Sequence, residues 1–273
     1  MTPSEQQRPW ALVTGASAGI GAEFCRQLAS RGYSLVLVAR RQERLQELAE
    51  TLRQRHAADS LVLPLDLSRA DAAEAVEAGL SAAGIEIEFL VNNAGYGVPG
   101  TYTESAWQTH ADSLNVMVGS VLELTWRLLP GMQGRRRGYV VNVASMAGLV
   151  PSSARHTLYG ATKAFLIKFS ESLAMENLET GVAVSALCPG FTYSEFHDVL
   201  GTREIVSRMP SWMWMEAEEV VRYGIESVTR DPPRIIAIPG RANRLIATLV
   251  RKLPQRVTQS LTQRESRRWR KQD

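Results

Sequence analysis

A glycine-rich stretch directly behind the first apolar run limits the folds that are open to this chain. The run 10–13 leads into TGASAGIG at 14–21, which is followed by apolar residues at helical spacing. Strand, glycine loop and helix in this order turn backbone N–H groups and the positive helix end toward a diphosphate. The spacing GxxxGxG departs from the GxGxxG of many dinucleotide binders, and such turns also occur without a ligand. The cofactor contacts predicted here are Gly15, Ser17, Ala18, Gly19, Ile20 and Gly21.

Beyond the loop, apolar runs of strand length alternate with segments of helical periodicity. Strands are predicted at 34–39, 61–65, 86–91 and 139–143, and crossover helices at 41–56 and 68–83. This alternation is typical of a parallel sheet with helices on both faces. We therefore predict an α/β fold with one doubly wound parallel sheet, the Rossmann arrangement, in a single domain at 1–240. A basic helical extension is predicted at 241–273.

Small or polar residues follow the carboxyl ends of the predicted strands, which is where a doubly wound sheet binds its ligand. The segments are Asp66-Leu67, Asn92-Asn93-Ala94-Gly95, Ala144-Ser145 and Cys188-Pro189-Gly190. Packing alone does not readily explain such a set of strand ends. Cofactor contacts are accordingly predicted for Asp66, Leu67, Asn93, Ala94, Gly95, Pro189 and Gly190.

The residue after the second predicted strand predicts which dinucleotide is used. This strand ends on Arg40-Arg41. An acidic residue here would accept hydrogen bonds from the adenosine ribose hydroxyls and favour NAD, whereas a basic residue suits a 2′-phosphate. Arg40 therefore predicts NADP(H), although an ordinary exposed arginine at a helix start would look the same.

A tyrosine and a lysine separated by one helical turn are the strongest candidates for proton transfer. Tyr159 and Lys163 lie in YGATK, and Ser145 precedes the tyrosine by fourteen residues. On a helix this spacing puts the phenol and the ammonium on one face. A neighbouring cation stabilises a phenolate, so the pair predicts a Tyr159 pKa below the usual value of about 10. Because Tyr-x-x-x-Lys is common on helices, the other motifs must supply the context.

Together these motifs resemble those of the short-chain dehydrogenase/reductase family, over about Trp10 to Pro239. The resemblance rests on TGASAGIG at 14–21, NNAG at 92–95, Asn115, Ser145, YGATK at 159–163 and PG at 189–190, in the family's order and spacing. It implies that Ser145 polarises a substrate carbonyl and that Tyr159 donates a proton to the oxygen while hydride arrives from the nicotinamide.

The resemblance also implies roles for residues around that pair. Lys163 would hold the nicotinamide ribose hydroxyls and lower the pKa of Tyr159, and Asn115 would position a water in the proton relay. Either Thr192 or Ser194 would contact the cofactor beyond the Pro-Gly pair. Relatives commonly pair through their helices, so a homodimer or homotetramer is predicted.

The connection after Pro189-Gly190 bears on the substrate. It is longer than an ordinary loop and contains MPSWMWM at 209–215. Long loops beside active sites are often lids, and an apolar lid would favour an apolar or bulky carbonyl compound, such as an acyl chain or a steroid-like ketone. Packing against neighbouring helices would give the same composition.

The basic charge of the chain is concentrated at its end. The formal net charge is +3, yet 234–273 alone has eleven Lys and Arg against two Asp and Glu. An apolar stripe at helical spacing lies among these charges, formed by Leu245, Ile246, Leu249, Val250 and Leu253. A basic amphipathic helix can lie on an anionic membrane surface, but core packing, a pocket wall or a subunit contact would give the same stripe. Nucleic-acid binding is not predicted, since aromatic interleaving and a known binding fold are missing.

Composition excludes several other classes. The two cysteines and four histidines show no metal-ligand spacing and no disulfide framework, so no metal is expected. Met1 to Arg8 is short and polar, and no apolar run approaches the roughly 20 residues that span a bilayer. A cytoplasmic location is therefore predicted.

The leading hypothesis is an oxidoreductase that transfers hydride between NADP(H) and a carbonyl or secondary alcohol, with Tyr159 as general acid and base. A non-catalytic dinucleotide sensor would be expected to have lost Ser145, Tyr159 or Lys163. A methyltransferase on a similar sheet would be expected to carry an acidic residue at Arg40. Dehydratases and epimerases of nucleotide sugars usually have a larger C-terminal domain.

Overall fold

The computed structural model describes residues 8–152, 154, 157–193, 210–254 and 256–257. The strands in these ranges are β1 (Trp10–Thr14), β2 (Ser34–Ala39), β3 (Ser60–Pro64), β4 (Ile87–Asn92), β5 (Gly138–Val143), β6 (Val182–Leu187), β7 (Phe191–Thr192), β8 (Trp214–Met215) and β9 (Ile236–Ala237). The α-helices are α1 (Gly19–Ser30), α2 (Gln42–His56), α3 (Ala72–Ala82), α4 (Trp107–Leu114), α5 (Ser120–Gly134), α6 (Thr157–Glu176), α7 (Ala217–Thr229) and α8 (Arg241–Lys252).

Seven of these strands form one parallel sheet in the order β3-β2-β1-β4-β5-β6-β9. The chain crosses from β3 at one side of β1 to β4 at its other side. This reversal opens a crevice at the carboxyl ends of β1 and β4, where ligands of doubly wound sheets bind. The predicted fold class is confirmed, and a separate two-stranded ribbon, β7-β8, is added beyond β6.

The strands are mostly apolar because helices cover both faces of the sheet. In β2, Leu35 and Leu37 pack into the core beneath α1, α2 and α7. Val36 and Val38 point the other way, into the core beneath α3, α5 and α6. Successive side chains of a strand alternate between the two faces, so a sheet buried on both faces favours apolar residues at most positions.

Two local features differ from the sequence prediction. The helix predicted at 68–83 begins only at Ala72, because the Asp66 carboxylate accepts hydrogen bonds from the N–H (3.0 Å) and the hydroxyl (2.8 Å) of Ser68. These bonds stabilise a turn in place of the first helical turn. A π-helical turn at Asn115–Gly119 joins α4 to α5. This turn was not predicted, and turns of this type are often found at functional sites.

The predicted C-terminal helix is present as α8, and it ends just before Pro254. Asn243 and Ala247 are buried on its inner face, and the Asn243 amide donates to the Pro239 carbonyl oxygen at 3.0 Å. The division of the chain at residue 240 stays a prediction. Among the described residues, no helix is both long and apolar enough to cross a bilayer. Within the same ranges, no cluster of three or more His, Cys, Asp or Glu side chains could hold a metal ion.

Candidate active site

The glycine loop between β1 and α1 forms a cradle that side chains would fill. Gly15 has a φ of 67°, and a Cβ on Gly21 would lie 2.2 Å from the Gly15 carbonyl oxygen. No side chain of the described residues caps α1, which begins at Gly19, so its first N–H groups are open to an anion. The loop residues therefore fit the diphosphate of a dinucleotide, and their contacts with a cofactor stay a prediction.

Thr14 and Asn93 brace this loop against the end of β4. The Thr14 hydroxyl accepts hydrogen bonds from the backbone N–H of Asn93 (2.9 Å) and of Ala94 (3.0 Å). The Asn93 amide donates to the Thr14 carbonyl oxygen at 2.9 Å. The Asn93 side chain thus shapes the cradle, and its contact with a cofactor stays a prediction. Thr14 was missed, although a threonine at a strand end is a residue type that satisfies turn N–H groups.

Two arginines, Arg40 and Arg41, follow β2, and their side chains make different contacts. Both Nε and Nη2 of Arg41 donate to the Ser17 hydroxyl of the glycine loop, at 3.2 and 3.0 Å. Arg40 is exposed, and its charge acts on Asp66. Burial raises the pKa of Asp66, but the hydrogen bonds from Ser68 and the Arg40 charge outweigh this effect and hold the pKa below its usual value. Arg40 alone was predicted to contact the cofactor, although the Arg-Arg pair was a signal for both residues.

The end of β5 and the start of α6 bring the predicted catalytic set together. Lys163 is buried, and its Nζ donates to the Val143 carbonyl oxygen at 2.7 Å. The same Nζ lies 5.6 Å from the centre of the Tyr159 ring. The Ser145 side chain is hydrogen-bonded to Tyr159, and its oxygen also accepts from the Ala147 N–H at 3.1 Å. Ser145, just after β5, therefore meets Tyr159 and Lys163 of α6 at the carboxyl edge of the sheet.

The protonation of this set differs from the sequence prediction. Burial raises the pKa of Tyr159 above its usual value, and the hydrogen bond with Ser145 lowers it only in part. Burial also lowers the pKa of Lys163 to about 8. The expected depression of the Tyr159 pKa by Lys163 was therefore wrong for this structure, because burial disfavours the phenolate and the ammonium binds the Val143 carbonyl. At neutral pH the phenol keeps its proton, as a proton donor must.

Two further residues that were predicted at the site are Leu67, just after β3, and Asn115, at the π turn. Asn115 is the first residue of the π turn, and its amide donates to the Ser68 carbonyl oxygen at 3.1 Å. The Leu67 side chain packs into the core with α3, α5 and α6. Only the backbone of Leu67 is therefore left to meet a cofactor. The predicted role of Asn115 in positioning a water stays a prediction.

The end of β6 leads into the ribbon on the side where the nicotinamide is predicted. The Thr192 hydroxyl donates to the Gly190 carbonyl oxygen at 3.1 Å, and Thr192 is buried. A Cβ on Gly190 would lie 2.7 Å from the Asn243 amide, so this glycine allows α8 to approach. Ser194, the alternative to Thr192, lies outside the described residues, and the choice between them stays a prediction.

Aromatic side chains cluster on the ribbon. The Trp214 ring lies 4.7 Å from Tyr193, stacked on it, and 5.5 Å from Phe191. Trp212, two residues before Trp214 in the sequence, is exposed. Met209, the first residue of the apolar stretch predicted as part of a lid, lies outside the described residues. The described part of that stretch therefore adds Trp214 to a ring cluster with Phe191 and Tyr193, which follow Gly190 in the sequence.

The sheet order, the glycine cradle and the Ser145, Tyr159 and Lys163 set define a doubly wound α/β dinucleotide-binding protein with a proton-transfer pair. A family model for short chain dehydrogenases matches residues 9–204. The chain belongs to the short-chain dehydrogenase family, which confirms the family suggested by the sequence motifs.

Two of the curated relatives show what this chain is similar to. The chain is 33% identical over 206 residues to a very-long-chain 3-oxoacyl-CoA reductase of Laccaria bicolor, which covers 75% of this chain and 61% of that protein. It is 30% identical over 252 residues to a 7beta-hydroxysteroid dehydrogenase of Mediterraneibacter gnavus, with 89% and 90% covered. The chain thus matches less than two thirds of the reductase's length but nearly all of the steroid enzyme's.

Solved structures agree with the fold. A structure from a study of 7beta-hydroxysteroid dehydrogenase stereoselectivity has a TM-score of 0.80 at 28% identity, covering 94% of this chain and 96% of that chain. A short-chain dehydrogenase from Sphingobium yanoikuyae in complex with NADPH has a TM-score of 0.78 at 31% identity, covering 90% and 97%. Both neighbours share the doubly wound fold over nearly the whole of each chain.

Proposed function

We propose that this protein is an NADP(H)-dependent carbonyl reductase that also oxidises the corresponding secondary alcohol. The observation that carries the proposal is the hydrogen bond between Ser145 and Tyr159 beside the buried Lys163. A protein that only senses a dinucleotide has no use for a hydroxyl, a phenol and an ammonium gathered at one strand end. The intact set therefore favours catalysis.

The chemistry follows from the charge that develops during reduction. Bound NADPH would supply the hydride to the carbonyl carbon. Negative charge then builds on the carbonyl oxygen, where the Ser145 and Tyr159 hydroxyls stabilise the transition state more than the neutral ketone. Tyr159 gives its proton to that oxygen and takes one back in the reverse direction. Lys163 has three N–H donors, of which Val143 takes one, so two are left for ribose hydroxyls.

The choice of NADP(H) over NAD(H) rests on the two arginines after β2. Arg41 lies against Ser17 of the glycine loop, and Arg40 stands exposed near Asp66. Two guanidinium groups at this end of the crevice suit a 2′-phosphate. The NADPH complex of the Sphingobium relative supports the same choice.

An apolar or bulky ketone or aldehyde is the substrate that the site favours. Phe191, Tyr193 and Trp214 form a ring cluster at the end of the crevice. The names of relatives point to the same class: one acts on 3-oxoacyl-CoA, another is a hydroxysteroid dehydrogenase, and a third, from Comamonas testosteroni, is called bulky-bulky ketone specific. The substrate carbonyl would lie between this cluster and Tyr159.

We also propose a homodimer or homotetramer, located in the cytoplasm. Trp126 on α5 and Phe165 on α6 are exposed on neighbouring helices outside the crevice. Large exposed aromatic side chains are enriched at subunit contacts. Pairing through α5 and α6 would bury both of them without covering the glycine loop.

Following NADPH oxidation at the nicotinamide absorbance tests the proposed activity. The panel of ketones and aldehydes runs from small polar compounds to long-chain and polycyclic ones, with NADH in parallel. We expect turnover with a subset of the apolar carbonyls and a preference for NADPH. Tight NADPH binding with no turnover across the panel would favour the sensor, and turnover confined to small polar compounds would contradict the apolar substrate class.

A further inference from the structure

The helix α8 exposes a line of leucines on the side that faces away from the protein body. Leu245 and Leu249 are 60% and 52% exposed, although each is among the most apolar residues of the helix. They are four residues apart, which keeps their side chains on one face. Leu253 and Val257 follow at the same spacing beyond the helix end and are also exposed.

The inner face of α8 is anchored, so these leucines belong to a docked helix. Asn243 and Ala247 are buried, and the Asn243 amide donates to the Pro239 carbonyl oxygen at 3.0 Å. The same amide lies 3.6 Å from the Met215 sulfur of the ribbon. Burial of the inner face fixes which face points outward. The leucine line is therefore a persistent surface feature.

Every charged residue on and just after α8 is basic. Arg244 is engaged with the protein body, where it donates to the Ile238 carbonyl oxygen at 3.2 Å and lies over the Tyr223 ring. The others form no ion pair with any described residue, and all are exposed: Arg241, Arg251, Lys252 and Arg256. No Asp or Glu occurs anywhere between 234 and 264. The leucine line is therefore flanked by uncompensated positive charge.

We propose that this face of α8, continued by Leu253, Arg256 and Val257, docks on an anionic lipid surface. Leucines would enter the boundary between headgroups and acyl chains, while the basic side chains approach the lipid phosphates. A second copy of this chain fits the face less well. A two-fold contact would set one uniformly basic helix against another, and like charges oppose such a contact.

Flotation of the full-length protein with lipid vesicles tests the proposal. One vesicle preparation is phosphatidylcholine alone, and the other contains phosphatidylglycerol as well. We expect partition onto the anionic vesicles to exceed that onto the neutral ones, and to fall about tenfold or more when salt is raised. The double variant L245E/L249E and the double variant R251E/K252E should each lose partition by a similar factor.

The control is L178E, because Leu178 is 73% exposed but lies outside α8. This variant should float as the wild type does, and circular dichroism melting of all variants should match. Equal flotation of the wild type and L245E/L249E would overturn the proposal, as would equal flotation on both vesicle types. If the wild type does not float and L245E/L249E lowers the molar mass in sedimentation equilibrium, the face is a subunit contact and the proposal is wrong.

Discussion

Tyr159 is held in its protonated state by burial, and Ser145 is the neighbour that eases the loss of its proton. Because its pKa is raised, Tyr159 keeps its proton at neutral pH and can donate it to an oxygen that becomes more basic as hydride arrives. With Tyr159 protonated, the site is therefore in the state that carbonyl reduction requires. Oxidation needs the phenolate, so the oxidative rate should rise with pH while the reductive rate does not.

Tyr159→Phe removes only the hydroxyl that carries this proton. We expect kcat for ketone reduction to fall by about a hundredfold to ten-thousandfold, because general acid catalysis contributes this much. NADPH affinity should change little, since the ring and Lys163 stay in place. Steady-state kinetics and a fluorescence titration with NADPH measure the two quantities. Tyr33→Phe, which alters a phenol bonded to Glu88 instead, serves as the control, and equal losses in both variants would contradict the assignment.

Lys163 makes stability depend on pH with a definite sign. Its folded pKa of about 8 lies below the ordinary value of 10.5. Between these two values the unfolded chain binds more protons, so this group makes folding more favourable as pH rises. Below pH 8 the buried ammonium costs about 3 kcal/mol.

Lys163→Met removes that charge. The stability of the variant relative to the wild type should therefore be greatest below pH 8 and should decline by about 3 kcal/mol as the pH passes 10.5. Urea unfolding over a pH series measures the difference. Lys168→Met, on the exposed side of α6, should show no such trend. A pH-independent difference for Lys163→Met would mean that the lysine titrates normally.

The proposed use of NADP(H) assigns recognition of the 2′-phosphate to the two arginines after β2. Arg40→Asp and Arg41→Ala should each lower the ratio of kcat/KM for NADPH to that for NADH, by about tenfold or more, because each loses a charge-assisted bond. Arg55→Ala, near the far end of α2, should leave the ratio unchanged. A loss confined to one of the two arginines would show that the other does not contact the 2′-phosphate.

At the scale of elements, the glycine loop depends on the absence of a side chain at Gly21. A Cβ there would meet the backbone of Gly15 at 2.2 Å, so either the loop or the start of α1 must move. We expect Gly21→Ala to weaken NADPH binding at least tenfold and to destabilise the fold by about 1–3 kcal/mol. Gly134→Ala at the end of α5 is the matched control, since nothing lies within 4 Å of its Cβ. Equal NADPH affinity for both variants would show that the loop accommodates the added methyl group without loss of NADPH binding.

Strands and motifs could be predicted from the sequence because their signals are local. The strand at 34–39 was predicted with the bounds that β2 has, since burial on both faces leaves an unbroken apolar run. The start of α3 was missed because Asp66 and Ser68 bond to each other. The direction of the Tyr159 pKa shift was predicted wrongly. Helical spacing shows only which residues are close along one helix, whereas burial depends on the whole fold. Which of two adjacent arginines turns toward Ser17 depends in the same way on backbone geometry.

At the scale of the whole molecule, two surfaces are expected to make different contacts. Trp126→Glu combined with Phe165→Glu should shift the protein toward the monomer in sedimentation equilibrium, because both side chains would be buried between paired helices. The variant L245E/L249E should keep the molar mass of the wild type. A wild type that is already monomeric would contradict the subunit contact, and dissociation of L245E/L249E would move that contact to α8.

Both edge strands of the main sheet are poorly suited to pairing with a further strand. The edge strand β9 pairs with β6 through only two residues, and the opposite edge strand, β3, closes on the exposed Pro64. A two-residue strand offers few free backbone groups for pairing with another strand, and a proline has no N–H to donate. Filament growth by adding strands from other molecules is thereby blocked at either end of the sheet. At high concentration the folded protein should stay in closed assemblies built through its helices.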